Sequence, residues 1–227
     1  PPTLGFMGKF FLISAAWGMA NAYGRGIALM ARAMGFWQAS VWAGQIRGPF
    51  GEMVRQAFYR RTLRETGDSC TFRFGCNFSC PDIRIGHHVR VGYGTHVGRV
   101  DIGDDTLIAA YCSLLSGAHL HDFSRTDIPI RSQPGVVQRV TIGRDCWLGA
   151  QVVVMADIGE GSVIGSGAVV TRPIPPWSVA VGNPARVIRS RRAGSEGVPA
   201  KPERDAMDSG ASAGSLSGER AGTAREG

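Results

Sequence analysis

At 227 residues the chain has the size of one ordinary folding unit with appendages, too short for two full enzyme domains. With 44% hydrophobic and 19% charged residues it is neither wholly disordered nor a polytopic membrane protein. The formal charge is +7, carried almost entirely by arginine since only Lys9 and Lys201 are lysines; this favours anionic ligands or surfaces, and no nucleic-acid reading motif accompanies it.

Residues 1–67 are rich in Ala, Met, Phe and Trp without strand alternation, which predicts an apolar, basic helical segment. The run from Phe10 to Ala20 follows Lys9 and precedes Ala20-Asn21-Ala22, the outline of a secretion leader with a small-residue cleavage site. Gly18 and Asn21 interrupt it, so it is too short to span a bilayer, which needs about 20 apolar residues. Packing on the end of its own domain is expected, with peripheral contact at the inner membrane face as the alternative. Met53, Val54, Ala57 and Phe58 then fall at helical spacing, with Arg55, Arg60 and Arg61 expected on the opposite, solvated side.

The middle of the chain contains a repeat. Branched apolar residues stand at Ile85, Val91 and Val97; at Ile102, Ile108 and Leu114; at Ile142, Leu148 and Val154; and at Ile158, Ile164 and Val170. Within each triplet the step is six, and nine of the twelve are followed directly by Gly or Ala. Four places on comes a small or β-branched residue, such as Val89, Thr95, Cys112 or Ala168. Six is neither a helix period nor a strand period. It fits a short strand plus a corner, three of which close a triangular coil with the branched residue inside and a small residue where bulk would collide. The 32 glycines, roughly double the usual ~7% share, supply those corners. The large break, from Leu114 to Ile142, predicts a polar loop thrown out of the solenoid, and one further step of six predicts Leu120 inside.

On these residues the chain resembles the hexapeptide-repeat family over about residues 83–190. That resemblance implies an all-β solenoid, a left-handed parallel β-helix. The expected organisation is a helical segment over 1–67, a β-helix over 68–192 with an expelled loop at 119–139, and a disordered tail over 193–227, where little can be buried.

Among five histidines, His87 and His88 fall at corners and His96 at a strand end, as scaffold. His119 and His121 flank Leu120 at the root of the loop, and an imidazole with an ordinary pKa near 6.5 can take a proton from a hydroxyl at neutral pH. The five cysteines form no CxxC pair, so neither a disulfide framework nor a zinc site is signalled; Cys112 and Cys146 take small inward positions.

The stretch His121-Asp122-Phe123 followed by Ile128-Pro129-Ile130-Arg131-Ser132-Gln133 resembles the loop of bacterial O-acetyltransferases of this family. The resemblance places the catalytic base at His121, with His119 second, and leaves Asp122 and Asp127 open as orienting carboxylates. Cys146-Trp147-Leu148-Gly149-Ala150, Ile164-Gly165-Ser166 and Gly182-Asn183-Pro184 onward resemble the coenzyme A half of galactoside and maltose acetyltransferases. Trp147, Gly149, Ala150 and Ser166 would then line the pantetheine arm, and Thr171, Arg172, Arg186 and Arg189 the nucleotide end, guanidinium groups matching phosphate in charge and shape. The family implies a cytoplasmic homotrimer that transfers acetyl from acetyl-coenzyme A to a sugar hydroxyl of a bacterial glycan or its precursor, with no metal. The sugar-binding residues of the galactoside and maltose enzymes have no clear counterpart, so a small-molecule acceptor of the serine or antibiotic type stays open. Two further readings are a carbonic-anhydrase-like metal site using His96, His119 and His121, and a non-catalytic scaffold.

Overall fold

A computed structural model describes residues 3–192; the tail expected over 193–227 lies outside them. Three helices come first, α1 (Thr3–Met34), α2 (Phe36–Gly44) and α3 (Gly48–Thr62). Strands mostly two or three residues long follow, stacked in parallel into three sheets. The first sheet contains Glu65–Thr66, Arg84–Ile85, Val100–Ile102 and Val140–Ile142; the second begins at Thr71–Phe72 and the third at Asn77–Phe78. The chain visits the sheets in turn, giving a parallel β-solenoid of about six coils. An antiparallel strand, Arg186–Ser190, folds back on Ser178–Val181 and ends the second sheet.

All twelve branched residues of the repeat are buried. They stack in register: Ile85 on Ile102, Ile102 on Ile142, Ile142 on Ile158 and Ile158 on Ile174 form one column. The next residue is small because the coils touch there: a Cβ on Gly92 would stand 2.3 Å from the Ala109 carbonyl oxygen, and one on Gly149 2.5 Å from the Ser166 nitrogen. Two places beyond it the backbone turns through the left-handed region, at Gly94 and Gly167 but also at His88, Asp105, Tyr111, Asp145 and Gln151. A non-glycine residue there costs about 1–2 kcal/mol, which the ladder bonds of the stacked corners offset; Asp105 N–H, for example, donates to the His87 carbonyl at 2.9 Å. The short step from Val97 to Ile102 is taken up by a tight turn in which Val100 N–H bonds the Gly98 carbonyl at 2.8 Å.

One coil lies ahead of the repeat as read from the sequence. Its inward residues are Phe72 and Phe78, aromatic because this coil closes the end of the prism against α3. Tyr59 packs on both, at ring-centroid distances of 4.9 and 4.4 Å, and its hydroxyl is within 3.0 Å of Ser40 Oγ, which in turn accepts the Phe78 N–H. The helical segment is thus a lid on the solenoid. Arg55, expected on the solvated side of α3, is buried instead. Its guanidinium donates to the carbonyls of Phe72 (2.8 Å), Ile46 (2.6 Å) and Ala43 (3.3 Å), tying the end of α2 to the first coil. Burial lowers its pKa, but a guanidinium keeps its charge.

The column makes inward and outward positions inequivalent. Leu148→Ala, in mid-prism with no exposed surface, should cost about 2–5 kcal/mol in urea unfolding. Thr141→Ala, pointing outward, should stay within about 0.5 kcal/mol.

Candidate active site

The loop leaves and re-enters at the corner between the third and first sheets. Its return is pinned by Arg139, which donates to Asp101 at 2.7 Å and to the Asp82 carboxylate and carbonyl. Asp82 also accepts from Arg99 (2.7 Å) and Arg64 (3.0 Å); these guanidinium groups, Arg99 first, hold its pKa down to about 2. The two legs bond to each other, Gln138 N–H to Ser116 carbonyl, Val136 N–H to His119 carbonyl and Asp122 N–H to Pro134 carbonyl, at 2.7–2.9 Å. The tip closes on Gln133. Its buried amide accepts the Arg125 N–H at 3.1 Å and donates to the carbonyls of Arg125 (2.8 Å) and Ile128 (3.3 Å).

Leu120 does not enter the prism: it is 36% exposed. Beyond Ser116 and Gly117 the chain has left the solenoid register, and its partner is the returning leg, packed so closely that a Cβ on Gly135 would stand 1.8 Å from the Leu120 carbonyl oxygen. His119 and His121 are exposed, as expected, but through loop geometry and not strand alternation. They share a cleft of about 280 Å³ with Asp122, Phe123, Pro134, Gly135 and Val136. His119 also lines a second cleft of about 520 Å³, which runs along the coil edge past Arg139, Met155, Asp157 and Thr171.

The two candidate carboxylates separate cleanly. Asp127 is engaged by the Arg125 guanidinium. Asp122 accepts from the Ser124 N–H (3.0 Å) and hydroxyl (3.1 Å), which lower its pKa, and the His119 ring adds to the same effect. Both carboxylates thus have partners within the loop, and Asp122 is the one that lines the histidine cleft.

The residues assigned to coenzyme binding fall on two edges of the prism. Gly149 and Ala150 lie on the corner after the second sheet, directly against Ser166 and Gly167: Gly149 N–H bonds the Ile164 carbonyl and Gly167 N–H the Ala150 carbonyl, both at 2.8 Å. Trp147 is exposed on the second sheet, and pairing through Val163 and Val179 places Arg189 in the same cross-strand row. Arg186 is on that hairpin too. Thr171 and Arg172 occupy a different corner, the one from which the loop departs, and Thr171 lines the larger His119 cleft.

His96 does not join the loop histidines. Its Nδ1 lies 2.7 Å from Asn77 Oδ1 and its ring meets Trp37 edge-on at 5.5 Å, facing the first coil and α2. Among the described residues no group of three or more His, Cys, Asp or Glu side chains is placed to hold a metal ion, so the three-histidine set is not assembled. His88 sits at a left-handed corner 3.1 Å from Asp105. Cys112 and Cys146 are buried, and burial raises both thiol pKa values. Gln133 is the residue whose role spacing alone did not reveal; its place in the Pro129–Gln133 stretch was the only signal.

Six-residue steps, glycine-packed corners and a loop expelled at one corner define a hexapeptide-repeat protein. Residues 139–172 match the family described as bacterial transferase hexapeptide (six repeats). Galactoside O-acetyltransferase of Escherichia coli is 43% identical over 93 residues, 40% of this chain and 43% of that protein. A Mycobacterium tuberculosis protein named "Probable acetyltransferase" is 36% identical over 115 residues, 48% of this chain and 38% of its own length. The chain thus spans about two fifths of these curated relatives. Among solved structures, galactoside acetyltransferase in complex with coenzyme A superposes with a TM-score of 0.59 at 25% identity, over 77% of this chain and 82% of that one.

Two outcomes test this geometry. Gln133→Ala strands one N–H and two carbonyls in the loop, so residues 119–139 should exchange amide hydrogens and be cut by protease faster, while the unfolding midpoint of the solenoid hardly moves. Burial lowers the His96 pKa from its ordinary 6.5. The unfolded chain therefore takes up the proton first, and stability should decline as pH falls below about 6.5. His96→Gln should flatten that part of the stability profile, measured by thermal unfolding across the range.

Proposed function

We propose that the protein is an acyl-coenzyme A-dependent O-acyltransferase that moves an acetyl group from acetyl-coenzyme A to a sugar hydroxyl of a bacterial glycan or its precursor. The observation that carries this reading is the position of His119, the one imidazole common to the loop cleft and the cleft along the coil edge. An acceptor in the first and a thioester in the second would meet at its ring. This favours His119 over His121 as the base, with Asp122 positioning it. Coenzyme A in a structural neighbour and galactoside acetylation by a sequence relative support the choice of donor and acceptor class.

The imidazole removes the hydroxyl proton as the oxygen attacks the thioester carbonyl, and a backbone N–H holds the developing oxyanion. When the tetrahedral intermediate collapses, the C–S bond breaks and the imidazolium returns the proton to the thiolate. A thioester is already activated, so no acyl-enzyme is needed, and the buried cysteines stay out of the reaction.

The division of Gly149, Ala150 and Ser166 from Thr171 and Arg172 supports a homotrimer. Within one prism these residues lie on separate corners. Set side by side in a ring, one chain's histidine cleft would face its neighbour's glycine-lined edge, and exposed Leu107, Tyr111 and Trp147 would be covered. Arg186 and Arg189 would reach the nucleotide phosphates from the terminal hairpin.

The test measures thiol release from acetyl-coenzyme A with galactosides, glycan fragments and serine-type acceptors. His119→Ala should cut turnover by about 10²–10⁴-fold with coenzyme binding retained in calorimetry. A larger loss in His121→Ala would move the base there; full activity in both variants would end the proposal.

A further inference from the structure

Over residues 14–34, α1 leaves most of its large apolar side chains outside the core. Ala20, Gly24 and Ile27 are buried against the rest of the helical segment, with Ala28 and Ala31 beside them. At Gly24 a Cβ would stand 2.7 Å from the Ala57 Cβ and 3.0 Å from the Phe58 nitrogen, so α1 and α3 meet almost backbone to backbone. Tyr23 is 61% and Leu29 63% exposed, Tyr23 with its ring edge-on to Phe50 at 5.8 Å, and Trp17, Met19, Met30 and Met34 are exposed as well. α2 adds exposed Trp37 and Trp42. A helix serving only its own domain would turn its large apolar side chains toward the core.

The charge of the same region is one-sided. Residues 1–51 contain Lys9, Arg25, Arg32 and Arg47 and no acidic residue, the first being Glu52, although the whole chain has 18. Arg25 and Arg32 make no ion pair among the described residues. Together with Arg61 they border a groove floored by Ala28, Leu29, Ala31 and Phe36, with no carboxylate in its lining. Among the described residues no helix is long and apolar enough to cross a membrane.

We propose that α1 and α2 form a docking surface for an anionic phospholipid bilayer, with α1 lying in the plane of the interface. Tyr23, Leu29 and the methionines enter the boundary between headgroups and acyl chains, and Arg25 and Arg32 meet lipid phosphates. Exposed Trp and Tyr suit that boundary because each joins an apolar ring to a polar atom. Charge decides the occupant. A second copy docked by two-fold symmetry would set this acid-free surface against itself, arginine facing arginine, whereas a leaflet of anionic lipids complements it. The inference rests on the helices alone, so its failure leaves the acyl-transfer proposal standing.

The experiment is flotation of the full chain with vesicles of phosphatidylcholine, alone or mixed with phosphatidylglycerol. The protein should float with the anionic vesicles, less so as salt is raised, and hardly at all with phosphatidylcholine. Each arginine near such a surface contributes roughly fivefold in affinity, so Arg25→Gln/Arg32→Gln should weaken binding at least about tenfold. Tyr23→Ser/Leu29→Ser should weaken it too, with far-UV circular dichroism unchanged. No flotation with anionic vesicles would overturn the proposal, as would binding indifferent to both variants. Self-association abolished by Tyr23→Ser/Leu29→Ser, without vesicle binding, would assign the surface to a second copy instead.

Discussion

The structure depends on filling a narrow triangular prism. Each side of a coil offers room for one inward side chain, and the next coil arrives one strand spacing away, so a branched aliphatic must stand on another branched aliphatic. From that follow the six-residue step, the glycine at the crowded corner and the left-handed turn two places later. The strands are too short to be stable alone; stacking makes them persist, and each coil depends on its neighbours. The ends are then the problem, since an open end leaves apolar surface uncovered. Phe72, Phe78 and Tyr59 solve it at the first coil, where α3 closes the prism. At the other end the antiparallel hairpin Ser178–Ser190 finishes the second sheet.

A rigid column also allows a loop to be positioned without burying it. The segment between Leu114 and Val140 adds nothing to the core, yet it is held at both legs by backbone bonds, at its tip by Gln133 and at its return by Arg139 between Asp82 and Asp101. Apart from the buried Gln133 amide these contacts lie near the surface, where they fix geometry more than they add stability. Two imidazoles are therefore presented at a fixed height above the coil edge. The remaining candidate residues are divided between two corners of the prism, Gly149, Ala150 and Ser166 on one and Thr171 and Arg172 on the other.

The solenoid could be read because its constraint repeats along the chain. Twelve branched residues in register, nine of them followed directly by Gly or Ala, leave little choice of geometry, and all twelve are buried. The first coil lies within the expected solenoid but outside the series of branched residues because its inward residues are aromatic, chosen by the helical lid and not by another coil. Arg55 misled for a similar reason. A charged residue at a helix position opposite an apolar stripe normally faces water, but here α3 is enclosed by α2 and the first coil, and carbonyls at the end of α2 receive the guanidinium. Leu120 was mistaken by carrying the step of six one place too far: nothing local marks where a chain stops obeying a register that its neighbours impose.

The sequence by itself determined the period, the corners and the position of the expelled loop, because spacing and residue size are local quantities that backbone geometry converts directly into a coil. It also marked the histidines as the residues with chemistry to offer. Only the tertiary structure decided what those residues face. That Asp127 is taken by Arg125 while Asp122 lines the cleft of the two histidines, that His119 borders two clefts and His121 one, and that Tyr23, Leu29, Met19 and Met30 of α1 stay exposed all depend on how segments far apart in the chain are arranged, which no local pattern encodes.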